Sequence, residues 1–482
     1  MPLLRPVLLA LGLVAAVSST AQPAPPSNYA RLLRDDDAPF FHVPLGLCED
    51  YPEETTTAAI YNADFALLDR AGIDLLRISF GWDGVEAEAD GQYDWLFWDD
   101  YVRTAVDGHG ITLIPYIMYT PRWASTTQDD NTFWRSPPRD FAQFGEFVFD
   151  LVTRYKDRIH SWELWNEPDI EWYWTGTAEQ FAAFVKVGAE AVRRADPTAT
   201  VILGGIAYQP DFIRELFRDH GVSPYVDVVN MHNYYETWHH GPVENIGEYI
   251  RRVDEVVERY GDGQPLWMAE VGYSSIREGA RVSDDYIAYY AYEHTPAYQA
   301  VQLVKTITAA LATDRLSALA WYELKDLPPG DQVIGDNNNR HLGVALADHT
   351  PKPAEGALRF INGLYAEPMR SIDDEVTVPR AADSDIVVHT FEQEDGDLIV
   401  VGWLQTRRVG EQNDAGDGMH RDTRRETVEV TIPRATAGDA TFYNEMGESV
   451  PYANYRQEGE ATVVLAEFEG GRVYIVHLAK DR

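Results

Sequence analysis

Strand-like and helix-like segments alternate from about residue 40 to residue 365, and this alternation constrains the fold more than any other feature of the chain. The predicted strands are short, continuously apolar runs, as expected for parallel strands that are covered on both faces. They lie at Phe41–Leu47, Asp74–Phe80, Thr112–Met118, Ile159–Trp165, Thr200–Gly205, Val226–His232, Leu266–Val271 and Ala318–Glu323. Strands in this number, alternating with helices over a span of this size, predict a (β/α)₈ TIM barrel.

Amphipathic helical patterns fill the intervals between these strands. They lie at Asp64–Ala71, Trp95–Asp107, Phe141–Tyr155, Ala178–Ala195, Ile246–Tyr260, Ala300–Ala312 and Ala354–Tyr365. In a barrel of this kind the catalytic residues come from the carboxyl ends of the strands. Functional side chains are therefore expected directly after the predicted strands.

The pattern changes after Glu367-Pro368. The following segments are short and β-branched, and turn signals such as Glu469-Gly470-Gly471 separate them. Strands are predicted at Ile386–Phe391, Leu398–Leu404, Thr427–Ile432, Ala440–Tyr443, Thr462–Phe468 and Val473–Leu478. We therefore expect a barrel domain over residues 40–367 and an antiparallel β-sandwich over residues 368–482. The sandwich is expected to pack against the barrel, with sugar binding as an alternative role.

The N-terminal residues have the pattern of a secretory signal peptide. Arg5 precedes the apolar run Val7–Val17, and the small residues Ser19–Ala21 follow it. This run is too short to cross a bilayer, so residues 1–21 predict export and residues 22–39 a leader segment. The protein is expected to be secreted or periplasmic, with no membrane span. Cys48 is the only cysteine, which leaves no internal disulfide, and its apolar context favours a buried thiol.

The net charge of −38 excludes nucleic acid as a natural partner, because phosphates would be repelled. Two interpretations of this charge stay open. It serves solubility, or it adapts the protein to high salt, where screening relieves the self-repulsion. A neutral carbohydrate ligand is compatible with both.

Two segments place a glutamate after a predicted strand: Trp162–Pro168 contains Glu167, and Pro265–Tyr273 contains Glu270. A single glutamate in such a position is more often a helix cap or an ion-pair partner. Two of them at the top of one barrel would point into the same opening, and retaining glycosidases use two carboxyl groups about 5–5.5 Å apart. We predict that Glu167 is the general acid/base and that Glu270 is the nucleophile, kept ionised by hydrogen bonds and a nearby cation. This chemistry needs no cofactor and no metal.

The region from about residue 40 to residue 365 resembles clan A of the glycoside hydrolases, retaining (β/α)₈ enzymes with glutamates after strands four and seven. Asn166-Glu167-Pro168 is similar to the acid/base motif of the clan. The resemblance implies that Asn166 binds the sugar 2-hydroxyl and that Glu270 is the nucleophile. It also implies a carbohydrate as the substrate.

The resemblance implies further site residues. Arg77 matches the arginine below the nucleophile and would keep that carboxylate charged. His232 and Tyr234 match the sixth-strand residues that orient the nucleophile and the sugar. Trp321 matches the aromatic platform under the sugar ring. From the residues alone, Arg77 could equally be an internal ion-pair partner and His232 a core histidine.

Within the clan, the sandwich and the segment Trp321–Leu324 are most similar to glycoside hydrolase family 39, with families 5, 30 and 51 as neighbours. Family 39 includes β-xylosidases, α-L-iduronidases and bacterial exopolysaccharide endoglycosidases. The resemblance therefore implies an O-glycosidase that resembles a β-xylosidase or an endo-β-glycosidase and acts on polysaccharide or oligosaccharide.

Three tryptophans after the predicted strands are candidate sugar subsites: Trp123, Trp172 and Trp238, with burial in the core as the alternative. Such aromatic loops favour endo over exo action. A solvated loop is favoured over metal binding at His239-His240, and over calcium binding at Arg407–Arg425. The alternative for the whole protein is a carbohydrate-binding protein that has lost catalysis.

Overall fold

The computed structural model describes residues 27–34, 38–53, 55–235, 241–276, 293–328, 337–379, 384–406, 422, 424–434, 438–450 and 453–480. Within them, eight parallel strands close into a barrel in chain order, and β1 pairs with both β2 and β8. The barrel strands are β1 Leu45–Glu49, β2 Leu75–Gly81, β3 Thr112–Met118, β4 Ser161–Asn166, β5 Thr200–Ile206, β6 Val228–Asn233, β7 Leu266–Val271 and β8 Leu316–Tyr322. The predicted TIM barrel is confirmed.

Helices cover the outside of the barrel. They are α1 Ser27–Ala30, α2 Ala58–Ala71, α3 Trp82–Val85, α4 Leu96–Val102, α5 Phe141–Tyr155, α6 Ala178–Ala195, α7 Pro210–Arg218, α8 Ile246–Tyr260, α9 Pro296–Leu311 and α10 Pro353–Leu364, and a π-helical turn, Arg103–Gly108, continues α4. Local sequence sets several of their ends. Thr177 begins α6 with a capping box, in which its side chain and that of Gln180 each bind the other's backbone amide. None of the helices in the described ranges is long and apolar enough to span a bilayer.

The segment of residues 27–34 closes the bottom of the barrel. Tyr29 and Leu32 are buried there against the lowest layer of interior side chains, which includes Trp267. The Trp267 indole donates a hydrogen bond to the Leu32 carbonyl at 2.9 Å. This part of the predicted leader therefore packs on the barrel, because its apolar side chains gain burial there. The predicted signal peptide, residues 1–21, lies outside the described residues.

The C-terminal strands in the described residues form two antiparallel sheets, ordered β13-β16-β11-β10-β9 and β12-β15-β14. They are β9 Met369–Ser371, β10 Ile386–Gln393, β11 Leu398–Leu404, β12 Arg425–Ile432, β13 Ala440–Asn444, β14 Ala453–Glu458, β15 Ala461–Glu469 and β16 Tyr474–Leu478. One apolar core joins both sheets, with Val388 and Val400 from the first and Val430 and Val464 from the second. The predicted β-sandwich is confirmed.

Glu244, in the segment that leads from β6 to α8, joins the barrel to the sandwich. Its Oε1 accepts hydrogen bonds from the Trp403 indole at 2.7 Å, the Thr406 amide at 2.9 Å and the Thr406 hydroxyl at 3.0 Å. Trp403 is fully buried and belongs to the same apolar cluster as the barrel core. The end of β11 is therefore fixed to the segment that follows β6, at the end of the barrel where the catalytic residues are expected.

Cys48 is buried, as expected, and its thiol donates to the Ala269 carbonyl at 2.9 Å. Five of the elements named above were missing from the sequence prediction: α1, α3, α7, β9 and β14. The first four of these are short. Strand β14 is polar and largely exposed, so it offers no apolar run to detect. The residues His239-His240 lie outside the described residues.

Candidate active site

Arg77, on β2, is the centre of a polar network inside the top of the barrel. The network is buried, and only 1% of Arg77 is exposed. Its Nε and Nη2 donate to the two Glu163 oxygens at 2.8 and 3.0 Å. Nη2 also donates to Asn166 Oδ1 at 2.7 Å, and Nη1 donates to Glu270 Oε2 at 3.1 Å. One guanidinium thus fixes a predicted sugar ligand and the predicted nucleophile, as the sequence analysis proposed for a cation below Glu270.

Glu163 is a site residue that the sequence analysis missed. Its carboxylate is fully buried, and besides Arg77 it accepts from the Gly205 amide at 2.8 Å and from Asn230 Nδ2 at 2.9 Å. A signal was present, because Glu163 and Arg77 are opposite charges inside two apolar strands. Buried charges of this kind are paired. Glu163 holds Arg77 in place and has no route to a substrate.

The backbone at the end of β4 breaks the normal alternation of side chains. Trp165 has a φ of 78° and Glu167 a φ of 45°, both in the left-handed region, which costs about 1–3 kcal/mol for each residue. Because of this break, the side chains of Asn166 and Glu163 both point into the barrel, where each accepts a hydrogen bond from Arg77. The Glu167 amide then donates to the Gly205 carbonyl at 2.8 Å, which anchors the turn to β5.

Glu167 lies beside His232, whose Nδ1 is 2.9 Å from Glu167 Oε1 and 3.4 Å from Glu270 Oε2. Burial first, and then the charge of Glu270, raise the pKa of Glu167 well above its usual range. Burial and the nearby Arg77 lower the pKa of His232 well below its usual range, so this imidazole is neutral. Glu167 is therefore the carboxyl group that retains a proton near neutral pH.

The tautomer of His232 follows from its neighbour Asn230. Asn230 Oδ1 accepts from the Ala269 amide at 2.9 Å, so its Nδ2 is the atom that faces Glu163 and His232 Nε2, the latter at 3.5 Å. Because Nδ2 can only donate, Nε2 is the acceptor and the ring proton lies on Nδ1. His232 therefore donates to Glu167 and stands close to Glu270.

Glu270, on β7, has two partners that favour its charged form. The Tyr234 hydroxyl donates to Oε1 at 2.5 Å, and Arg77 donates to Oε2. Burial raises the pKa of Glu270 to about 7, and these two contacts oppose that rise. One oxygen of Glu270, one of Glu167 and a ring nitrogen of His232 lie within 4.8 Å of one another. Two carboxylates this close repel each other, and the contacts of Glu270 with Arg77 and Tyr234 favour ionisation of Glu270 over that of Glu167.

These three groups are also the candidate metal ligands within the described ranges. The guanidinium of Arg77 contacts Glu270 at 3.1 Å, and its positive charge opposes a cation at the same place. The geometry fits proton transfer better than metal binding.

The structure contradicts the prediction for Trp321. This side chain is 0% exposed and lies in the core between barrel and helices, where no sugar ring can reach it. The side chain of Tyr322 points into the barrel instead. This residue pairs with Cys48, which pairs with Arg77 on β2, and its ring centroid lies 6.5 Å from that of Tyr234. Successive strand residues face opposite sides, so the prediction was wrong by one residue along the strand.

The three candidate subsite tryptophans differ in their placement. Trp172 is 36% exposed, so its ring is available for stacking. Trp123 is half-buried, and its indole donates to the Glu86 carbonyl at 2.6 Å. Trp238 lies outside the described residues. Of the two candidates that the structure describes, Trp172 is the one with the exposure that a sugar platform requires.

Comparison with known proteins places the barrel in a sequence family. The model of the family described as cellulase (glycosyl hydrolase family 5) matches residues 49–295. A β-xylosidase from Caldicellulosiruptor saccharolyticus is 26% identical over 255 residues, which are 48% of this chain and 48% of that protein. The chain therefore matches about half the length of this relative.

Solved structures share the fold. A family 39 glycoside hydrolase from Bacteroides cellulosilyticus WH2 superposes with a TM-score of 0.62 at 16% identity, covering 91% of this chain and 81% of that one. A monomeric β-xylosidase from Caulobacter crescentus CB15 gives 0.62 at 17% identity, with 92% and 97% covered. A family 30 endoxylanase from Clostridium papyrosolvens C71 gives 0.60 at 13% identity, with 91% and 97% covered. The superpositions include both domains, and they connect the chain to clan A folds.

Proposed function

Since the chain belongs to the cellulase family (glycosyl hydrolase family 5) and is a clan A glycoside hydrolase, we propose that it cleaves β-glycosidic bonds by double displacement. In this proposal Glu167 is the acid/base and Glu270 the nucleophile. One observation carries it: oxygens of the two carboxyl groups lie within 4.8 Å of each other. Retaining enzymes need about 5–5.5 Å between these groups, whereas inverting enzymes need about 6.5–9.5 Å to admit a water.

In the first step, a Glu270 oxygen forms a bond to the anomeric carbon while the bond from that carbon to the leaving oxygen breaks. The leaving oxygen takes its electron pair and receives the proton of Glu167. The product is a glycosyl ester of Glu270. Arg77 and Tyr234, which contact the Glu270 oxygens, position the carboxylate for this attack.

Formation of the ester removes the negative charge of Glu270. That charge helps to raise the pKa of Glu167, so its loss makes Glu167 a stronger acid and leaves it ionised. Glu167 can then accept a proton from a water molecule, whose oxygen attacks the anomeric carbon and releases Glu270. Both carboxyl groups return to their initial protonation states.

Asn166 supplies a ligand for the sugar in this scheme. Its Oδ1 is occupied by Arg77 at 2.7 Å, which fixes the amide so that Nδ2 is the group offered to a hydroxyl. We assign it to the 2-hydroxyl, next to the carbon that is attacked. A hydrogen bond there strengthens in the transition state.

The substrate that we propose is a β-xyloside in a plant or microbial polysaccharide or its oligosaccharides. This proposal is supported by the similarity to the β-xylosidase of Caldicellulosiruptor saccharolyticus. The structural neighbours also include a β-xylosidase and an endoxylanase. The proposed site of action is outside the cytoplasm, and its support is the signal-peptide pattern of residues 1–21.

The test is hydrolysis of a panel of aryl β-glycosides, with the β-xyloside first, followed by NMR of the first-formed sugar. We expect the β-anomer to appear before mutarotation. Glu270→Gln should abolish turnover, whereas Glu255→Gln, an exposed position on α8, should retain it. An α-anomer formed first would refute retention, and full activity of Glu270→Gln would refute the nucleophile assignment.

A further inference from the structure

Two exposed aromatic rings stand on the loops that follow β4 and β5, the two strands between which the Glu167 amide is hydrogen-bonded. Trp172, in the loop after β4, is 36% exposed, and Tyr208, in the loop after β5, is 47% exposed. Trp172 follows Glu167 by only five residues. Tyr208 follows Gly205 by three residues, and the Gly205 carbonyl accepts the Glu167 amide at 2.8 Å. Burial first, then the charges of Asp169 and Glu167, raise the pKa of the Tyr208 hydroxyl.

Asp169 joins the two loops into one unit. Its Oδ1 accepts from the Ala207 amide at 2.8 Å, and its Oδ2 accepts from the Tyr208 and Gln209 amides at 3.1 and 3.0 Å. The Gln209 side chain donates back to the Asp169 carbonyl at 2.7 Å. Four hydrogen bonds therefore fix the position of Tyr208 relative to the segment that carries Trp172.

Arg135 supports Trp172 from the loop after β3. Its guanidinium carbon lies 5.6 Å from the Trp172 ring centroid and 5.7 Å from that of Trp134, within cation–π range. Its Nη1 donates to the Glu171 carbonyl at 2.9 Å. Trp134 in turn contacts Tyr173 edge-on, at 6.4 Å between centroids. The Trp172 ring thus packs against Arg135, while about a third of the residue stays open to solvent.

The position of these rings relative to the two glutamates indicates which part of a substrate they meet. The proton donor must lie beside the leaving oxygen, and the chain that continues from Glu167 carries Trp172. Glu270 faces the sugar that is attacked, with Tyr234 and Tyr322 on its side of the opening. The two exposed rings stand on the loops that hold Glu167, and this connection assigns them to the leaving-group side.

We propose that Trp172 and Tyr208 form a leaving-group subsite that stacks on a pyranose whose hydroxyls are all equatorial. Such a sugar, of the β-xylose or β-glucose type, presents axial C–H groups that pack against an aromatic face. Asp169 is a positioning residue for this subsite. The inference rests on the proposed function and deepens it, because it makes the substrate a chain that continues beyond the cleaved bond.

The test compares two substrates of the same sugar. Xylotetraose has sugars in the leaving group, whereas β-xylosyl fluoride has a leaving group with no ring to stack. For Trp172→Ala and for Tyr208→Ala, we expect the ratio of kcat/KM on xylotetraose to kcat/KM on the fluoride to fall about 3- to 10-fold. Tyr455→Ala, an exposed aromatic position on the sandwich strand β14, should keep the wild-type ratio.

Acceptor capture gives an independent measurement. With β-xylosyl fluoride as donor, added xylobiose should intercept the glycosyl-enzyme at the same subsite, and the two alanine variants should form less transfer product per turnover. Asp169→Asn should raise KM for xylotetraose more than it lowers kcat, a split that a loss of stability alone would not produce.

The outcomes separate the two proposals. Wild-type protein that does not turn over the fluoride contradicts the proposed function. Wild-type turnover of the fluoride, with an unaltered ratio in both alanine variants, overturns the leaving-group subsite alone. Equal losses on both substrates would also overturn it, because the rings would then act on the attacked sugar or on folding.

Discussion

The Tyr234 hydroxyl lies 2.5 Å from Oε1 of Glu270 and is the donor in this contact, because an ionised carboxylate can only accept. The hydrogen bond stabilises the charged form of Glu270 and lowers its pKa. Burial acts in the opposite direction and is the larger effect, so the pKa still rises to about 7. The nucleophile therefore titrates within the range in which the enzyme can be assayed.

Tyr234→Phe should move the acidic limb of the kcat/KM profile to higher pH. Activity requires ionised Glu270, so it rises with pH through a pKa of about 7. Loss of a hydrogen bond to a charged group raises that pKa by about one unit. The basic limb reports Glu167 and should move less. A pH series on an aryl β-xyloside measures both limbs, and an acidic limb that stays in place or moves down would contradict the assignment.

Glu167→Ala should affect substrates according to their leaving group. Loss of the general acid should reduce kcat/KM about 10²- to 10⁴-fold for a sugar leaving group, and far less for dinitrophenolate, which departs without a proton. Azide should restore turnover of the dinitrophenyl substrate, because it attacks the glycosyl-enzyme without base assistance. Equal losses on both substrates would argue against Glu167 as the proton donor.

Gly205→Ala, a change on the neighbouring strand β5, should displace His232 and lower activity. A Cβ atom on Gly205 would lie 2.1 Å from His232 Nε2 and 2.7 Å from Asn230 Nδ2, so His232 must move away from Glu167. We expect lower kcat/KM and a loss of about 1–3 kcal/mol in stability. Gly363→Ala is the matched control, since this exposed helical glycine has no atom within 4 Å of a new Cβ. Wild-type activity of Gly205→Ala would show that the contact relaxes.

Glu244→Ala should weaken the joint between barrel and sandwich. The change leaves the Trp403 indole and both Thr406 donors without their acceptor, at a cost of about 1–3 kcal/mol. Glu244→Gln keeps an acceptor oxygen and should cost less. Thermal unfolding of both, beside the exposed Glu255→Gln, measures the difference. Equal melting temperatures for all three would mean that the contact contributes nothing.

Salt should stabilise the folded protein. With a net charge of −38, self-repulsion is screened as the Debye length falls from about 10 Å at 0.1 M to about 3 Å at 1 M. We expect the melting temperature to rise over this range of sodium chloride. Precipitation or unfolding in concentrated salt would count against adaptation to a saline environment.

Much of the architecture was predictable from the sequence. The bounds of α5, α6 and α8 and of β3, β7 and β11 agree with the prediction, because each has a clear apolar pattern between polar or breaking residues. The proximity of Glu167 and Glu270 was also predictable, since a barrel brings the carboxyl ends of its strands together.

The errors have two physical origins, the direction of side chains on a strand and the contacts between loops. A continuously apolar strand does not reveal which of its residues face the barrel interior. Trp321 was therefore predicted to contact the sugar, whereas Tyr322 is the residue that faces the interior. Asp169 and Tyr208, which belong to the proposed subsite, were not predicted, because contacts between two loops are not encoded in periodicity. Glu163 was the one missed residue with a signal in the sequence.

The left-handed residues Trp165 and Glu167 restrict how this acid/base element could be transplanted to another scaffold. On a regular strand, Asn166 and Glu167 would project to opposite faces, and a graft of the side chains alone would separate them. A designer would also have to import the adjacent strand at Gly205, whose carbonyl accepts the Glu167 amide at 2.8 Å and where a Cβ atom would lie 2.1 Å from His232 Nε2. The unit to transfer is the kinked end of β4 together with the part of β5 to which it is hydrogen-bonded. The short Asn-Glu-Pro motif alone would not reproduce the geometry.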